Sequence, residues 1–535
     1  MPAVRPLLLR WLPAAPVVAV VGGFWGLFHL SRPGTMHRAL SSDPEMAYFV
    51  DALSPFRGHG YNFVDHPGTP LSLVGSLLAA LAHPLLVASP AALVEANLRD
   101  PALFLTLAHG LLLAGAGATI VLLTGLVARE RPSDALLAAA LPASFYAAFP
   151  SSFVTLVCWS HNSLGFAGGT LLLAGLFLAL RGPEPSTRAL NALGLGAGLL
   201  AAAQIYFSVW TAGLAAGVAV AALPRGPRAA ARAAAHVALA AAAAFVLATL
   251  PALPRYPHFL RFLLHMVLPH GAGQAVVGAA ALWLRNVASL ASRAPVIFVV
   301  VPLLMGAVAA GARTHAARER HHRLLAASAG AAVCWVLVLA AMGRRPVDAY
   351  FPALAAPIPL LLAAACALWS GRGRVARAAC LGAAVLAVAG CAWNGLRAAR
   401  QQRVQVAYRE ALEGTVREYR QAHAGGPDAV GFVIWGPGMD EAHCFALYMG
   451  AYCAPALMPD VARVCPGEGV AWPLSTVVPA EANGRGVFIA IEVAASWRYA
   501  RAVGPAEAVH ALGPAGTAIA FHRVEASGGT LKLWR

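Results

Sequence analysis

The sequence predicts a polytopic α-helical membrane protein of about eleven transmembrane helices, within a range of roughly ten to thirteen, ending in an external C-terminal α/β or α+β domain. Three observations predict it. Hydrophobic residues make up 59% of the 535 and charged residues only 12%, with a mean hydropathy of +0.66, too little charge for the surface of a soluble chain of this size. Apolar runs long enough to cross a bilayer recur from the N-terminus to about residue 397. Beyond that point the texture changes to a charged helix and short strand-like runs between Gly/Pro-rich turns.

A spanning helix needs about 20 mostly apolar residues. That rule places crossings near 13–30, 70–88, 102–127, 134–150, 163–180, 191–223, 236–251, 294–312, 324–342, 352–369 and 375–396. The first run has Arg10 before it but no small-x-small cleavage site after it, so it reads as a retained helix rather than a signal peptide. The run 191–223 is too long for a simple crossing and Gln204 interrupts it. It is either one tilted helix or two half-crossings meeting near QIYFSVW.

Lys and Arg number 39 against 23 Asp and Glu, a formal net charge of +16. The excess lies in short loops such as PRGPRAAARAAAH, ARTHAARERHHR and GRGRVAR, the pattern of cytosolic anchoring loops rather than of a nucleic-acid surface. With the loops at 224–236, 313–323 and 371–377 in the cytosol, the loops at 31–69, 252–290 and 343–351 and the C-terminal region fall outside. Eleven crossings leave Arg129–Arg131 and Arg181–Arg188 outside as well, against that rule.

The chain thus divides into a membrane domain at 1–397 and a soluble domain at 398–535. In the second, RQQRVQVAYREALEGTVREYRQAH reads as an amphipathic helix leaving the membrane, and AVGFVIW, GVFIAIEVA and GTAIAFHRV read as strands. Five of the eight cysteines, from Cys158 to Cys391, lie in apolar segments and read as small buried hydrophobes. An oxidising compartment would allow one disulfide among Cys444, Cys453 and Cys465.

Carboxylates are scarce, yet SDPEMAYFVDAL gathers Asp43, Glu45 and Asp51, and YNFVDHPGTPL adds Asp65 and His66. A carboxylate near bilayer depth is costly unless it pairs or faces a water-filled cavity. The bland reading is a solvated loop. Against it, the acids alternate with Met46, Tyr48, Phe49, Val50 and Leu53, which suits an interfacial helix packed on the membrane domain, with Asp43 at its N-terminal end and Asp51 facing away. Pro67 and Pro70 fix a turn that would hold Asp65 and His66 at a cavity mouth. The second external loop sets Arg255, His258, Arg261 and His265 among aromatics and leucines, a spacing that suits a lipid-linked phosphate; ordinary headgroup anchoring is the alternative. GRRPVDAYFPALAAP adds Arg344, Arg345 and Tyr350, where arginine suits bidentate phosphate binding. SHNSLGF, at Ser160–Asn162, is a weaker polar break that joins such a cavity only if it too lies outside.

The order of a first helix, an external loop carrying SDPEMAYFVDAL and GHGYNFVDHPGTPL, many crossings and a C-terminal external region resembles the GT-C fold glycosyltransferases. Within them it is most similar to the branch of the aminoarabinose-lipid A and protein O-mannosyl transferases. The resemblance implies sugar transfer from a polyprenyl-phosphate donor on the external face of a bacterial inner membrane, to a glycan, lipid or protein acceptor. It implies Asp43 as catalytic base and Glu45, Tyr48, Asp65 and His66 as acceptor- or sugar-binding residues. Arg255, His258, Arg261, His265, Arg344, Arg345 and Tyr350 would then bind the donor phosphate. No cofactor is implied, and no ligand spacing supports a divalent metal. The competing expectations are a lipid or solute transporter and a non-catalytic envelope-assembly protein.

Overall fold

A computed structural model describes residues 12–30, 45–63, 68–128, 135–180, 185–267, 276–313, 319–342, 351–369, 373–422, 429–435, 447, 450–451, 453–465, 470–472, 475–477, 486–493, 518–527 and 530–534. Its helices are α1 (Ala15–Leu30), α2 (Ala47–Leu53), α3 (Thr69–Ala82), α4 (Pro90–Arg99), α5 (Ala102–Ala128), α6 (Ala135–Ala147), α7 (His161–Ala179), α8 (Thr187–Ala203), α9 (Ser208–Ala222), α10 (Pro227–Thr249), α11 (Tyr256–Val267), α12 (Val276–Arg293), α13 (Pro295–Arg313), α14 (Glu319–Met342), α15 (Phe351–Ala355), α16 (Ile358–Trp369), α17 (Arg374–Ala422) and α18 (Met458–Val464). Strands are β1 (Ala429–Trp435), β2 (Val470–Trp472), β3 (Ser475–Val477), β4 (Gly486–Val493), β5 (Ala518–Ser527) and β6 (Thr530–Trp534).

Among the described residues, nine helices are long and apolar enough to cross a membrane, or ten if the pair Ala135–Ala147 and Pro150–Leu156, bent by 95°, is one span. The protein is therefore a polytopic α-helical membrane protein. The expectation of about eleven crossings is corrected in detail. α3, counted as a crossing from sequence, has 14 residues, about 21 Å of helix, which is short of a hydrocarbon core of about 30 Å. The expected C-terminal α/β or α+β domain is corrected too. Such a domain needs helices layered on its sheet. The strands pair in the order β1-β4-β5-β6, with β5–β6 antiparallel and the others parallel, beside a β2–β3 ladder. No helix packs along either sheet among the described residues, and α18 lies instead against α4.

The chain forms two compact units. One comprises 1–26, 64–70 and 110–398, the other 27–63, 71–109 and 399–535.

In the first unit glycine governs helix packing, because it lets backbones approach closely where there is no hydrophobic gain from burying helix on helix. On α8, a side chain at Gly194 would stand 2.5 Å from the Val237 carbonyl of α10, and one at Gly198 would run into the Ala241 carbonyl. Residues rising along α8 thus meet residues rising along α10, so the two helices are parallel. Gly168 meets Leu200, Gly196 meets Leu172 and Gly175 meets Leu193, so α7 runs antiparallel to α8. Gly165 meets Phe207, Gly169 meets Trp210 and Gly217 meets Leu176, so α7 is parallel to α9. The long apolar run 191–223 is thereby resolved as two helices that reverse direction at Gln204–Phe207, rather than as one tilted crossing.

That reversal corrects the placement of the arginines. Parallel packing with α10 sets Arg188, at the start of α8, level with Arg228 and Arg232. His322, at the start of α14, reaches the Val220 carbonyl near the end of α9 at 2.9 Å, and Trp369 at the end of α16 donates to Ala307 of α13 at 2.8 Å. Arg188, Arg225, Arg228, Arg232 and Arg323 therefore gather at one end of this unit, and the extra turn at Gln204 removes the conflict at Arg188.

Candidate functional site

In the second unit the acid-bearing segment is helical from Glu45, and every residue of α2 is buried. It is not the half-exposed interfacial helix its spacing suggests. Phe49 meets Phe104 at 4.7 Å between ring centroids and Tyr48 meets Phe63 at 4.8 Å. Ala52 sits so close to Gly75 of α3 that a side chain there would stand 2.8 Å from its Cβ, and Gly450 is equally tight against Met46 and Val50. Arg57 is paired with Asp460 of α18 through both guanidinium contacts, and Arg463 donates to the same carboxylate at 3.1 Å. Cys465, which follows α18, is disulfide-bonded.

Each described carboxylate of the segment has built-in partners. Asp51 accepts from the Asn62 amide at 2.7 Å, the Phe63 amide at 3.3 Å and the Ser72 hydroxyl at 2.7 Å. It fastens the return of the chain after α2 onto α3, and it is fully buried rather than facing away into solvent. Glu45 is also fully buried and lies 2.8 Å from His109 Nε2 of α5. The His29 ring stands 5.3 Å from that of His109, and Phe28 packs edge-on to His109 at 5.8 Å. Tyr61 pairs with Ser76 at 3.0 Å, and burial raises its phenol above the ordinary 10.0; the Ser76 bond works against that and the Asp51 charge with it. His109 was missed from sequence. Its signal was a lone histidine in the apolar run 102–127, since a polar group at that depth requires a partner.

In the first unit, the end of the bundle opposite the arginines carries a second polar collection. Ser160 caps α7 by accepting from the Ser163 amide at 3.4 Å, and Ser163 donates to the Cys158 carbonyl at 2.7 Å. Gln204 closes α8 in extended backbone, and a 3-10 turn at Ile205–Phe207 leads into α9. Ile205 packs on Ala252 and Phe259, which brings α11 to this end, and Thr249 and Tyr256 are bonded through their hydroxyls. Arg255, His258 and Arg261 are exposed there. Arg293 lies 5.9 Å over the Phe351 ring at the start of α15. Gly165, at the end of SHNSLGF, lies against Phe207 of QIYFSVW, so these two polar breaks are neighbours at this end of the first unit.

Five buried side-chain atoms on α7 and the α8–α9 segment have no hydrogen-bond partner among the described residues: both amide atoms of Gln204, Trp210 Nε1, Thr170 Oγ1 and Asn162 Oδ1. Gln204 and Trp210 are fully buried and Thr170 is 2% exposed.

Of the residues singled out from sequence, Asp43, Asp65, His66, Arg344, Arg345 and Tyr350 lie outside the described residues, as does the side chain of His265. Glu45 and Tyr48 lie in the second unit, each against a different partner, and Arg255, His258 and Arg261 lie in the first. Among the described residues no three His, Cys, Asp or Glu side chains form a metal-binding group. No protein-family model matches the sequence, and comparison with curated proteins finds no match.

Proposed function

We propose that the protein is an inverting glycosyltransferase that moves a sugar from a polyprenyl-phosphate donor to an acceptor hydroxyl at the external face of a bacterial inner membrane. The observation that carries this over transport is the turn at Gln204–Phe207. A transporter would place polar groups on a discontinuous helix near the bilayer midplane. Gln204, the strongest such candidate, instead sits where two antiparallel helices meet at the end of the bundle, beside α11 and its exposed cations. The segregation of arginines to the other end supports a cytosolic assignment for that end, and the disulfide at Cys465 supports an oxidising compartment for the second unit.

In this reading Asp43 accepts the proton of the acceptor hydroxyl as its oxygen attacks the anomeric carbon and the bond to the phosphate oxygen breaks. The departing phosphate gains negative charge, so Arg261, Arg344 or Arg345 stabilises the transition state more than the ground state. Glu45, paired with His109 inside the second unit, and Tyr48 shape the segment that carries the base. Arg255, His258, His265 and Tyr350 belong with the donor phosphate, and Asp65 and His66 with the acceptor or sugar. The acceptor class stays as broad as the resemblance makes it: lipid, glycan or protein.

The test is release of polyprenyl phosphate by purified protein in detergent, where no gradient exists, from short-chain prenyl-phosphate hexose and pentose donors. Asp43→Asn is expected to lower turnover by about 10²–10⁴-fold while leaving folding intact. A well-folded variant with unchanged turnover would remove Asp43 as the base. Net movement of donor across vesicles without release would favour the transporter.

A further inference from the structure

We infer that α3 docks on the bilayer without crossing it. Its bare face, Leu73, Leu77 and Leu81, continued by Leu85 and Val87, lies among the acyl chains of the leaflet on the side where α1 ends and α5 begins. The inference does not rest on the proposed function.

Two crossings set the side. His29, one residue before the end of α1, stands 5.3 Å from His109, two turns into α5, and Phe28 packs on the same His109 ring at 5.8 Å. The end of α1 is therefore level with the start of α5, and the chain between them leaves and re-enters the bilayer on one side. A single crossing in that interval is ruled out, and the 14 residues of α3 are too few to make one.

Phe104 sets the depth. α5 has 27 residues, about 40 Å of helix against a hydrocarbon core of about 30 Å, so its first turn stands at the headgroup boundary. Phe104 is in that turn, and its ring would lie 3.7 Å from a side chain at Gly75, the middle of α3. Beside it, Leu103 heads a stripe of α5 that runs through Leu111 to Val121, exposed as the lipid face of a crossing is.

The faces of α3 set its orientation. Leu71, Gly75, Leu78, Ala79 and Ala82 form the buried face. α2 packs on this side, where Ser72 donates to Asp51 at 2.7 Å and Ser76 to the Ala52 carbonyl at 2.6 Å. Leu73, Leu77 and Leu81, at i, i+4 and i+8, share the opposite face and are 51%, 60% and 55% exposed, and Leu85 is 94% exposed. A face turned to water would carry charge, yet no Asp, Glu, Lys or Arg occurs between Asp65 and Glu95. A bare apolar patch of this kind marks a protein or membrane contact. At headgroup depth, beside the lipid stripe of α5, that contact is the acyl boundary, where interfacial helices immerse their apolar face. The acid-bearing α2, fastened to the other side of α3, is thereby held at the membrane surface.

The experiment uses full-length Leu77→Cys, Leu81→Cys and Arg99→Cys proteins, each carrying a nitroxide label, in phosphatidylcholine vesicles. Collision with lipid-soluble oxygen is compared with collision with a water-soluble nickel chelate, and parent protein labelled in the same way corrects for the natural cysteines. Both leucines are already bare, so neither substitution removes a packed side chain. The ratio of oxygen to nickel collision is expected to be severalfold higher at positions 77 and 81 than at position 99, which is exposed on α4. Nickel reaching 77 and 81 as freely as 99 overturns the inference. Exclusion of both reagents from 77 and 81 overturns it as well: spin–spin broadening between copies would then assign the face to a second chain, and its absence to another part of this one.

Discussion

The acid-bearing segment and the α7–α8–α9 bundle both bury polar side chains, but the carboxylates of the first are hydrogen-bonded while the Gln204 amide and Trp210 indole of the second are not. Around α2, Asp51 takes three donors, Glu45 takes His109, and Asp460 takes Arg57 and Arg463. On α7 and the α8–α9 segment, the side chains of Gln204, Trp210 and Thr170 are as deeply buried and have no partner among the described residues. A satisfied buried group holds a fold together; an unsatisfied one costs stability unless something else supplies the bond. The bonded carboxylates of α2 are thus scaffold, although sequence alone ranks them foremost as a candidate site.

The comparison breaks most sharply at Asp51. Asp51→Ala leaves two backbone amides and the Ser72 hydroxyl without their acceptor in a buried place, and is expected to cost about 4 kcal/mol or more. Unfolding by denaturant in detergent measures it. A loss under about 1 kcal/mol would mean that water reaches these donors and that the segment is not the sealed scaffold described here.

The Glu45–His109 pair comes next. Either Glu45→Ala or His109→Ala alone strands a buried polar partner and is expected to cost about 3 kcal/mol. The double change to leucine is expected to recover most of that, because an apolar pair of similar volume leaves nothing unmatched. A double variant as unstable as the sum of the singles would show that the two residues serve separate partners.

The reach of the sequence divides along the same line. Membrane class was legible because composition and run length reflect the solvent directly. The interruption at Gln204 was legible as well, but not its meaning. Whether 191–223 was one helix or two depended on Gly194 and Gly198 fitting the backbone of α10, a contact over forty residues away in sequence. That same fact moved Arg188 to the basic end. Asp51 was misplaced for a similar reason: helical spacing set it on a face apart from Glu45 and Tyr48, while its partners come from a chain return at Asn62–Phe63 and from Ser72. The strand-like runs after residue 428 do become strands, but local pattern could not say that no helix among the described residues would pack along their sheet. Local periodicity reports what an element is, and long-range contacts decide which of its faces is buried.

The smallest effect lies at Tyr61, the edge of the scaffold. Its phenol bonds Ser76, and burial, reinforced by the charge on Asp51, raises it above 10.0. The folded state therefore holds this proton more tightly than the unfolded state does. The resulting stability is fully present below the unfolded value near 10 and is lost as pH rises beyond it toward the folded value. Tyr61→Phe removes both the bond and this alkaline sensitivity. At neutral pH the variant is expected to be less stable by about 1 kcal/mol, and the gap should narrow as pH climbs above about 10. Paired melts of the two proteins across that range isolate Tyr61 from the other tyrosines, since those are common to both. A gap that stays constant with pH would mean that the phenol is open to water, and would redraw the boundary of the scaffold between Tyr61 and Asp51.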